Sequence, residues 1–408
     1  MDLAMQETVN EILEKEKEKK AIKEEAKNHL TGCLLPFWKG LKDDTYGGFY
    51  GYLSYDLELD KKAVKGCILN SRILWFFSKA SKTLKDNSLL SYAAHAFDFL
   101  KNKCLDHENG GMYWSLNYDG TVCDATKHTY NQAFAIYALS AYYEVMRDKE
   151  ALFLALSLID LIEERMKDEY GYLEAFDASF HSVSNEKLSE NGVMAEKTMN
   201  TLLHVLEAYT EAYRVTKHPK IAEKLRHILT QIADKVYNKE LHRQEVFFDR
   251  KMNTLIDLHS FGHDIEAAWL IDRTLSILKD ASYTAKLSEI TKDLTAEIYK
   301  SAYKEHSLLN ECDRGILNKK RIWWVQAEAV TGFLNGYEHD NNHPEYLKAS
   351  IDIFHYIMEK MVDKRPGSEW FSELDENGLP SIKNPIVEPW KCPYHNGRMC
   401  FELLRRDW

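Results

Sequence analysis

The stretches "DDTYGGFYGYLSYD" (43–56) and "DHENGGMYWSLNYDGT" (106–121) each carry a Gly-Gly pair followed by alternating aromatics, about sixty residues apart. That pattern spells a tight turn entering a short β-hairpin. Looser versions stand at "DEYGYLEAF" (168–176) and "PGSEWFSELDENG" (366–378). Between these stretches the helical period dominates, and twelve segments show it: roughly 7–42, 66–85, 88–104, 125–147, 149–168, 194–217, 219–238, 261–280, 282–303, 321–340, 343–363 and 393–406. The gaps between them alternate. Short links such as "KDN" (85–87), Asp148, His218 and "NNH" (341–343) make tight helix–helix turns, while every long, hairpin-bearing connection precedes an even-numbered helix.

Six helix pairs with a hairpin in each long loop predict an all-α fold: a single (α/α)6 barrel, or toroid, with the long loops and their short β-hairpins on one face. The competing reading is an open solenoid of helical hairpins. Residues 1–25, dominated by "EKEKEKKAIKEEAK", have little apolar stripe and are expected to form a charged, solvated helical extension, leaving 26–408 as one catalytic domain.

Composition narrows the function. Lys and Arg total 53 against 64 Asp and Glu, a net charge of -11, which disfavours nucleic acid and anionic membranes as partners. No signal-peptide core or bilayer-spanning run is evident, so a cytoplasmic location is expected. Seven cysteines without a CxxC pair read as reduced, packed thiols.

If the long loops share one face, the first turns of the even helices share one pocket, and each carries polar groups there. These are Arg72 in "LNSRILWFF"; His128, Tyr130 and Asn131 in "KHTYNQAF"; Asn200 and His204 in "EKTMNTLLHVLEAY"; His263, Glu266 and Trp269 in "FGHDIEAAWLID"; Trp323, Trp324 and Glu328 in "RIWWVQAEAV"; and His395 in "PYHNGRMC". Taken singly, each has a bland reading: Arg72 could pair with a buried acid, and aromatics at helical spacing are usually core. His263 and Glu266, three apart, share a helix face, so the carboxylate is expected to orient the imidazole. No metal is expected. "HDIE" lacks the second histidine of a helical zinc site, and "CPYHNGRMC" has no matching cysteine pair elsewhere. Neither do the Gly-rich turns have the Lys and Ser/Thr of a phosphate loop. Indoles and phenols stack on sugar rings while carboxylates and amides bind hydroxyls, and two bases facing each other across a ligand suggest proton removal on one face of a carbon and return on the other.

The stretches "GCILNSRILWFFS" (66–78), "KHTYNQAFAIYALS" (127–140), "SENGVMAEKTMN" (189–200), "GHDIEAAWL" (262–270), "WWVQAEAV" (323–330) and "WKCPYHNGRMC" (390–400) together resemble the N-acylglucosamine 2-epimerase superfamily, and within it the enzymes that epimerise cellobiose. The resemblance runs from about residue 26 to the end. It implies a monomer or weak homodimer that needs no cofactor and epimerises at C2 the reducing-end glucose of β-1,4-linked disaccharides such as cellobiose, lactose and mannobiose. By the same resemblance His263 and His395 are general acid/base groups, and Glu266 is hydrogen-bonded to His263. Arg72 stabilises an enediolate. His204, Asn200 and Tyr130 surround the reacting sugar, and Trp269, Trp324, Glu328 and Trp390 hold the two rings. Mannose isomerases and N-acylglucosamine epimerases of the superfamily are alternatives, as is an (α/α)6 glycoside hydrolase using Glu266 and Glu328 as its carboxyl pair.

Overall fold

The computed structural model describes the backbone from Leu3 and the side chains from Lys15 through Trp408. It contains twelve principal helices in the expected order. We label them α1 (Leu3–His29, extended by a π turn and Leu35–Gly40), α2 (Cys67–Leu84), α3 (Leu90–Phe99), α4 (Thr129–Met146), α5 (Lys149–Arg165), α6 (Met199–Thr216), α7 (Pro219–Gln231), α8 (Phe261–Leu278), α9 (Ala281–Ser301), α10 (Trp323–His339), α11 (Pro344–Tyr356) and α12 (His395–Arg405). Even helices pack on one another in sequence, and α12 returns to α2, closing an inner ring; the odd helices lie outside it. Burial follows from this placement. In α2 every residue from Cys67 to Ser78 is buried, and in α4 every residue from Thr129 to Tyr142. The outer α7 instead buries a stripe, Ile221, Ala222, Leu225, Ile228 and Leu229, at the spacing of one helix face.

Short links are made the same way around the ring. Inner helices α2, α4, α6 and α8 end on a basic residue in left-handed conformation, Lys85, Arg147, Lys217 and Lys279. Asp148 and Asp280 then accept backbone N–H groups of the next outer helix, and Asp86 accepts that of Ser88 in the 3-10 turn leading into α3. Cation at the C-terminus and carboxylate at the N-terminus both suit the helix dipoles.

Long links carry the ring's second closure. A two- or three-residue strand immediately precedes the inner helices α2, α4, α6, α8 and α10 and pairs antiparallel with a strand of the following long loop: Lys65–Gly66 with Ser115–Leu116, Lys127–His128 with Ala175–Phe176, Lys197–Thr198 with Phe247–Phe248, Leu258–Ser260 with Glu311–Asp313, and Arg321–Ile322 with Glu373–Leu374. Leu53 bridges Val387 and completes the circle, so the arrangement is a toroid and not an open solenoid. These strands also explain why α4, α6 and α10 begin two to five residues later than the helical period alone suggests.

Three of these strands begin with a buried lysine that forms an ion pair, and Lys391 repeats the arrangement ahead of α12. Lys65 reaches Asp43 at 2.6 Å and the carbonyl of Gly47 at 2.8 Å; Lys127 repeats this with Asp106 and Gly110, both at 2.8 Å. Lys197 pairs with Asp168, and Lys391 with Glu369. The Gly-Gly turns form around these ion pairs: Asp43 and Asp106 accept the backbone N–H groups of their own turns, and all four glycines have positive φ. A Cβ on Gly48 would lie 2.7 Å from Asn70 Oδ1, so position 48 tolerates nothing larger.

The N-terminal helix does not divide at 25. It runs unbroken through that point, Ile22 is 2 % exposed within the core, and Lys19 and Lys23 reach Asp407 and the carbonyl of Arg406. Docking on the C-terminal helix is what the charged composition hid. The side chains of 1–14, and residues 1–2 altogether, lie outside the described residues. Deleting 1–25 is therefore expected to cost about 2 kcal/mol more than deleting 1–14, chiefly the burial of Ile22, read as a lower melting temperature with epimerase activity retained. Equal melting temperatures for the two truncations would contradict this. No helix among the described residues is long and apolar enough to cross a membrane.

Candidate active site

The N-terminal turns of the inner helices converge as the spacing requires. His263, in the first turn of α8, and His395, the first residue of α12, both pack on Trp324, with ring centroids 4.7 Å and 5.5 Å from its centroid. Gly262 permits that approach, because a Cβ there would lie 2.7 Å from the Trp324 ring. Opposite them, His204 from α6 packs against Tyr130 (5.1 Å) and Phe134 (4.8 Å).

Arg72 has no carboxylate partner among the described residues. Its Nη2 donates to Tyr130 Oη at 2.9 Å and its Nη1 to the Trp390 carbonyl at 3.2 Å, and the guanidinium lies 4.1 Å over Phe134. A buried cation held by neutral groups alone keeps its charge available for an anion formed beside it. Asn200 Oδ1 is buried without a partner among the described residues, and Trp390 lies tilted between Trp114 (5.5 Å) and Tyr130 (5.8 Å) while staying partly exposed. The structure thus brings Arg72, Tyr130, Asn200, His204, His263, Trp324, Trp390 and His395 to one end of the ring.

Three expectations change. Glu266 does not orient His263: the His263 Nδ1 sits 2.7 Å from Ser260 Oγ, while Glu266 turns to Arg398 and lies 4.0 Å from His395. His263 is in the first helical turn, where the hydroxyl three residues earlier is free to meet it. The i, i+3 pair that does form is His204 with Glu207, Nδ1 to Oε2 at 2.9 Å, in the middle of α6. Glu328 and Trp269 do not face the pocket. Glu328 Oε1 is 2.7 Å from His395 Nδ1, its Oε2 accepts from Trp269 Nε1 at 2.9 Å, and both residues are 1 % exposed. They stand behind the histidine.

Beneath them lies Arg398, which the sequence reading passed over. Its guanidinium contacts Glu207, Glu266, Glu328 and the Tyr394 hydroxyl, and Tyr394 in turn donates to Glu207. One cation thus binds three buried carboxylates, of which Glu207 holds His204 and Glu328 holds His395. Burial and the neighbouring Glu328 push Glu266 well above the usual carboxylate range. Glu207 is held down at about 2: burial opposes ionisation, but Arg398 and the bond from His204 outweigh it. The available signal was spacing, since Arg398 follows His395 by three and Glu207 follows His204 by three.

Glu266, Glu328 and His395 bring possible ligand atoms within 4.8 Å of one another, a set that could hold a divalent ion. Arg398 Nη2, 2.7 Å from Glu328 and bonded to Glu266, already supplies the positive charge those oxygens require. The same engagement removes Glu266 and Glu328 as a hydrolase's free carboxyl pair.

Burial lowers His263 to about 3 and, reinforced by the charges of Arg398 and Arg72, holds His395 well below its ordinary value. Both imidazoles are neutral at pH 7. Donation from His395 Nδ1 to Glu328 leaves Nε2 as the basic nitrogen. His128 (about 3) and His29 (about 4) are lowered by burial as well. Their folded values lie below the unfolded value near 6.5, so the stability these neutral histidines contribute is complete above that pH and lost as pH falls below it. Each of His263, His128 and His29 is expected to remove about 2 kcal/mol between pH 7 and pH 5, seen as a falling melting temperature at fixed ionic strength. A flat profile over that interval would count against neutral burial.

Imidazoles, indoles and an arginine with no carboxylate partner among the described residues, at the N-terminal ends of the inner helices, define an (α/α)6-barrel enzyme whose chemistry sits on one face of the ring. The chain belongs to the N-acylglucosamine 2-epimerase family, which matches residues 48–396. It is 51 % identical to a cellobiose 2-epimerase of Eubacterium cellulosolvens, over 92 % of this chain and 96 % of that one, and 49 % identical to one of Ruminococcus albus, over 94 % and 98 %. The solved structure of a cellobiose 2-epimerase from Bacillus thermoamylovorans superposes with a TM-score of 0.91 at 42 % identity, covering 95 % of this chain and all of that one.

Proposed function

We propose that the protein is a disaccharide 2-epimerase, interconverting glucose and mannose at the reducing end of cellobiose and, by the same chemistry, lactose and epilactose. The supporting relatives are cellobiose 2-epimerases spanning nearly the whole chain. The observation that carries the mechanism is the placement of two neutral imidazoles, His263 and His395, on the ring of one tryptophan, with Arg72 unpaired by any carboxylate.

The reaction begins with opening of the reducing-end ring to its aldehyde. One histidine takes the C2 proton, and the electron pair moves into a cis-enediolate whose charge Arg72 stabilises. While that charge lasts, both imidazoles have a raised affinity for protons. Rotation about C2–C3 presents the other face of C2, where the second histidine, in its protonated form, delivers a proton. Ring closure gives the epimer, and exchange with solvent resets the two imidazoles. Trp390 and Trp324 stack on the sugar rings, Asn200 and Tyr130 bind hydroxyls, and Glu328 and Glu207 fix the tautomers of His395 and His204.

Cellobiose incubated with the enzyme in heavy water is expected to yield glucosyl-mannose carrying solvent deuterium at C2, read by proton NMR. Product that keeps its original C2 hydrogen would refute the two-base scheme, and release of free monosaccharide would favour hydrolysis.

A further inference from the structure

The opposite end of the barrel holds a cavity of about 950 Å³, formed by the C-terminal halves of the inner helices. None of His204, His263, His395, Arg72, Asn200 or Trp324 lines it. In a chain with more acidic than basic residues, this cavity reverses the balance: nine lysine and arginine side chains line it against four aspartates and glutamates. Cations suit helix C-termini, which explains part of the excess. The pairing shows how much is left. Glu211 is shared by Lys79 (3.2 Å), Arg214 (3.0 Å) and Arg273; Glu144 by Lys79 (3.4 Å), Arg214 (2.5 Å) and Lys82; Glu402 by Arg273 (3.9 Å), Arg405 (2.5 Å) and Arg406 (2.8 Å).

With Glu338, which also pairs with Arg406, four carboxylates therefore serve six cations. Lys27 and Lys85, also in the wall, have no carboxylate partner among the described residues, and Arg214 Nη2 is buried without any acceptor. Guanidinium and ammonium groups that outnumber their counter-ions in a concave, partly desolvated space attract an oxyanion, and arginines bind phosphate oxygens through paired N–H donors. Trp75, Tyr137 and Phe401 add apolar wall, which leaves room for an organic group beside the anion.

We propose that this cavity is a binding site for a phosphate-class anion, free or as the phosphate ester of a small polyol, separate from the sugar pocket. Titration calorimetry of the full-length protein, at fixed ionic strength in sodium chloride, tests it with inorganic phosphate and with glucose 6-phosphate as probes. Saturable one-to-one binding of at least one probe is expected, and the tighter probe identifies the free ion or the ester as the preferred form. Lys27→Gln combined with Lys85→Gln, which disturbs no ion pair of the wall, is expected to weaken that binding at least tenfold while epimerase activity with cellobiose is unchanged, which also certifies folding. Absence of saturable binding for both probes, or an unchanged affinity in the double variant, would overturn the proposal.

Discussion

His395→Asn and His263→Asn are each expected to lower epimerisation of cellobiose by about a hundred- to ten-thousand-fold, because each removes one of two proton-transfer groups that cannot substitute for each other. The variants are inequivalent in a way that assigns their faces. An enzyme with one base left can still remove the C2 proton and return it to the same side. One variant should thus exchange the C2 hydrogen of the glucose-end substrate with heavy water without inversion, and the other only that of the mannose-end epimer. Melting temperatures should stay close to the wild-type value, since both imidazoles are neutral where they lie. A variant that still epimerises at a tenth of the wild-type rate would remove its histidine from the scheme.

Arg398→Met should have the largest effect on stability of any single change near the site. It strips the common cation from Glu207, Glu266 and Glu328, leaving carboxylates buried without compensation. Breaking one partner out of such an assembly costs about 3 to 5 kcal/mol. For a chain of this length that corresponds to a fall in melting temperature of about 4 to 6 °C. Turnover should fall as well, because the carboxylates that hold His204 and His395 lose their anchor. Arg398→Lys keeps the charge without the fork and should recover stability further than turnover. An Arg398→Met variant as stable as wild type would show that the three glutamates take up protons at little cost.

The fold was legible because two signals of different period coincide. Alternating short and long gaps gave the order of the helices, and the Gly-Gly turns at 47–48 and 110–111 marked the loops that carry strands. The pocket followed from geometry, since Arg72, Asn200, His263, Trp324 and His395 all fall within the first two turns of inner helices. The pairing of side chains inside the pocket was not legible. A shared helix face says that His263 and Glu266 can meet, and so can His204 and Glu207; which pair forms depends on what the neighbouring helices offer. Arg398 draws Glu266 away, and Ser260 supplies the alternative for His263. The N-terminal segment misled through its composition: a run of Lys and Glu hides Ile22, the apolar residue that docks it among the described side chains of 15–25.

The bridge between Leu53 and Val387 has a consequence for how the molecule comes into being on the ribosome. At about 5 to 20 residues per second, some twenty seconds to over a minute pass between the start of synthesis and the emergence of the strand that meets Leu53. Until then the nascent chain is an arc whose first and last helices each present an uncovered apolar flank. The catalytic pocket cannot exist in a chain that stops short of residue 395, because His395 arrives on the same final helix that seals the gap. A premature stop ahead of residue 387 therefore yields an open, adhesive arc and not a weakened enzyme, and such a product is expected to be cleared or to aggregate before any sugar chemistry can be measured.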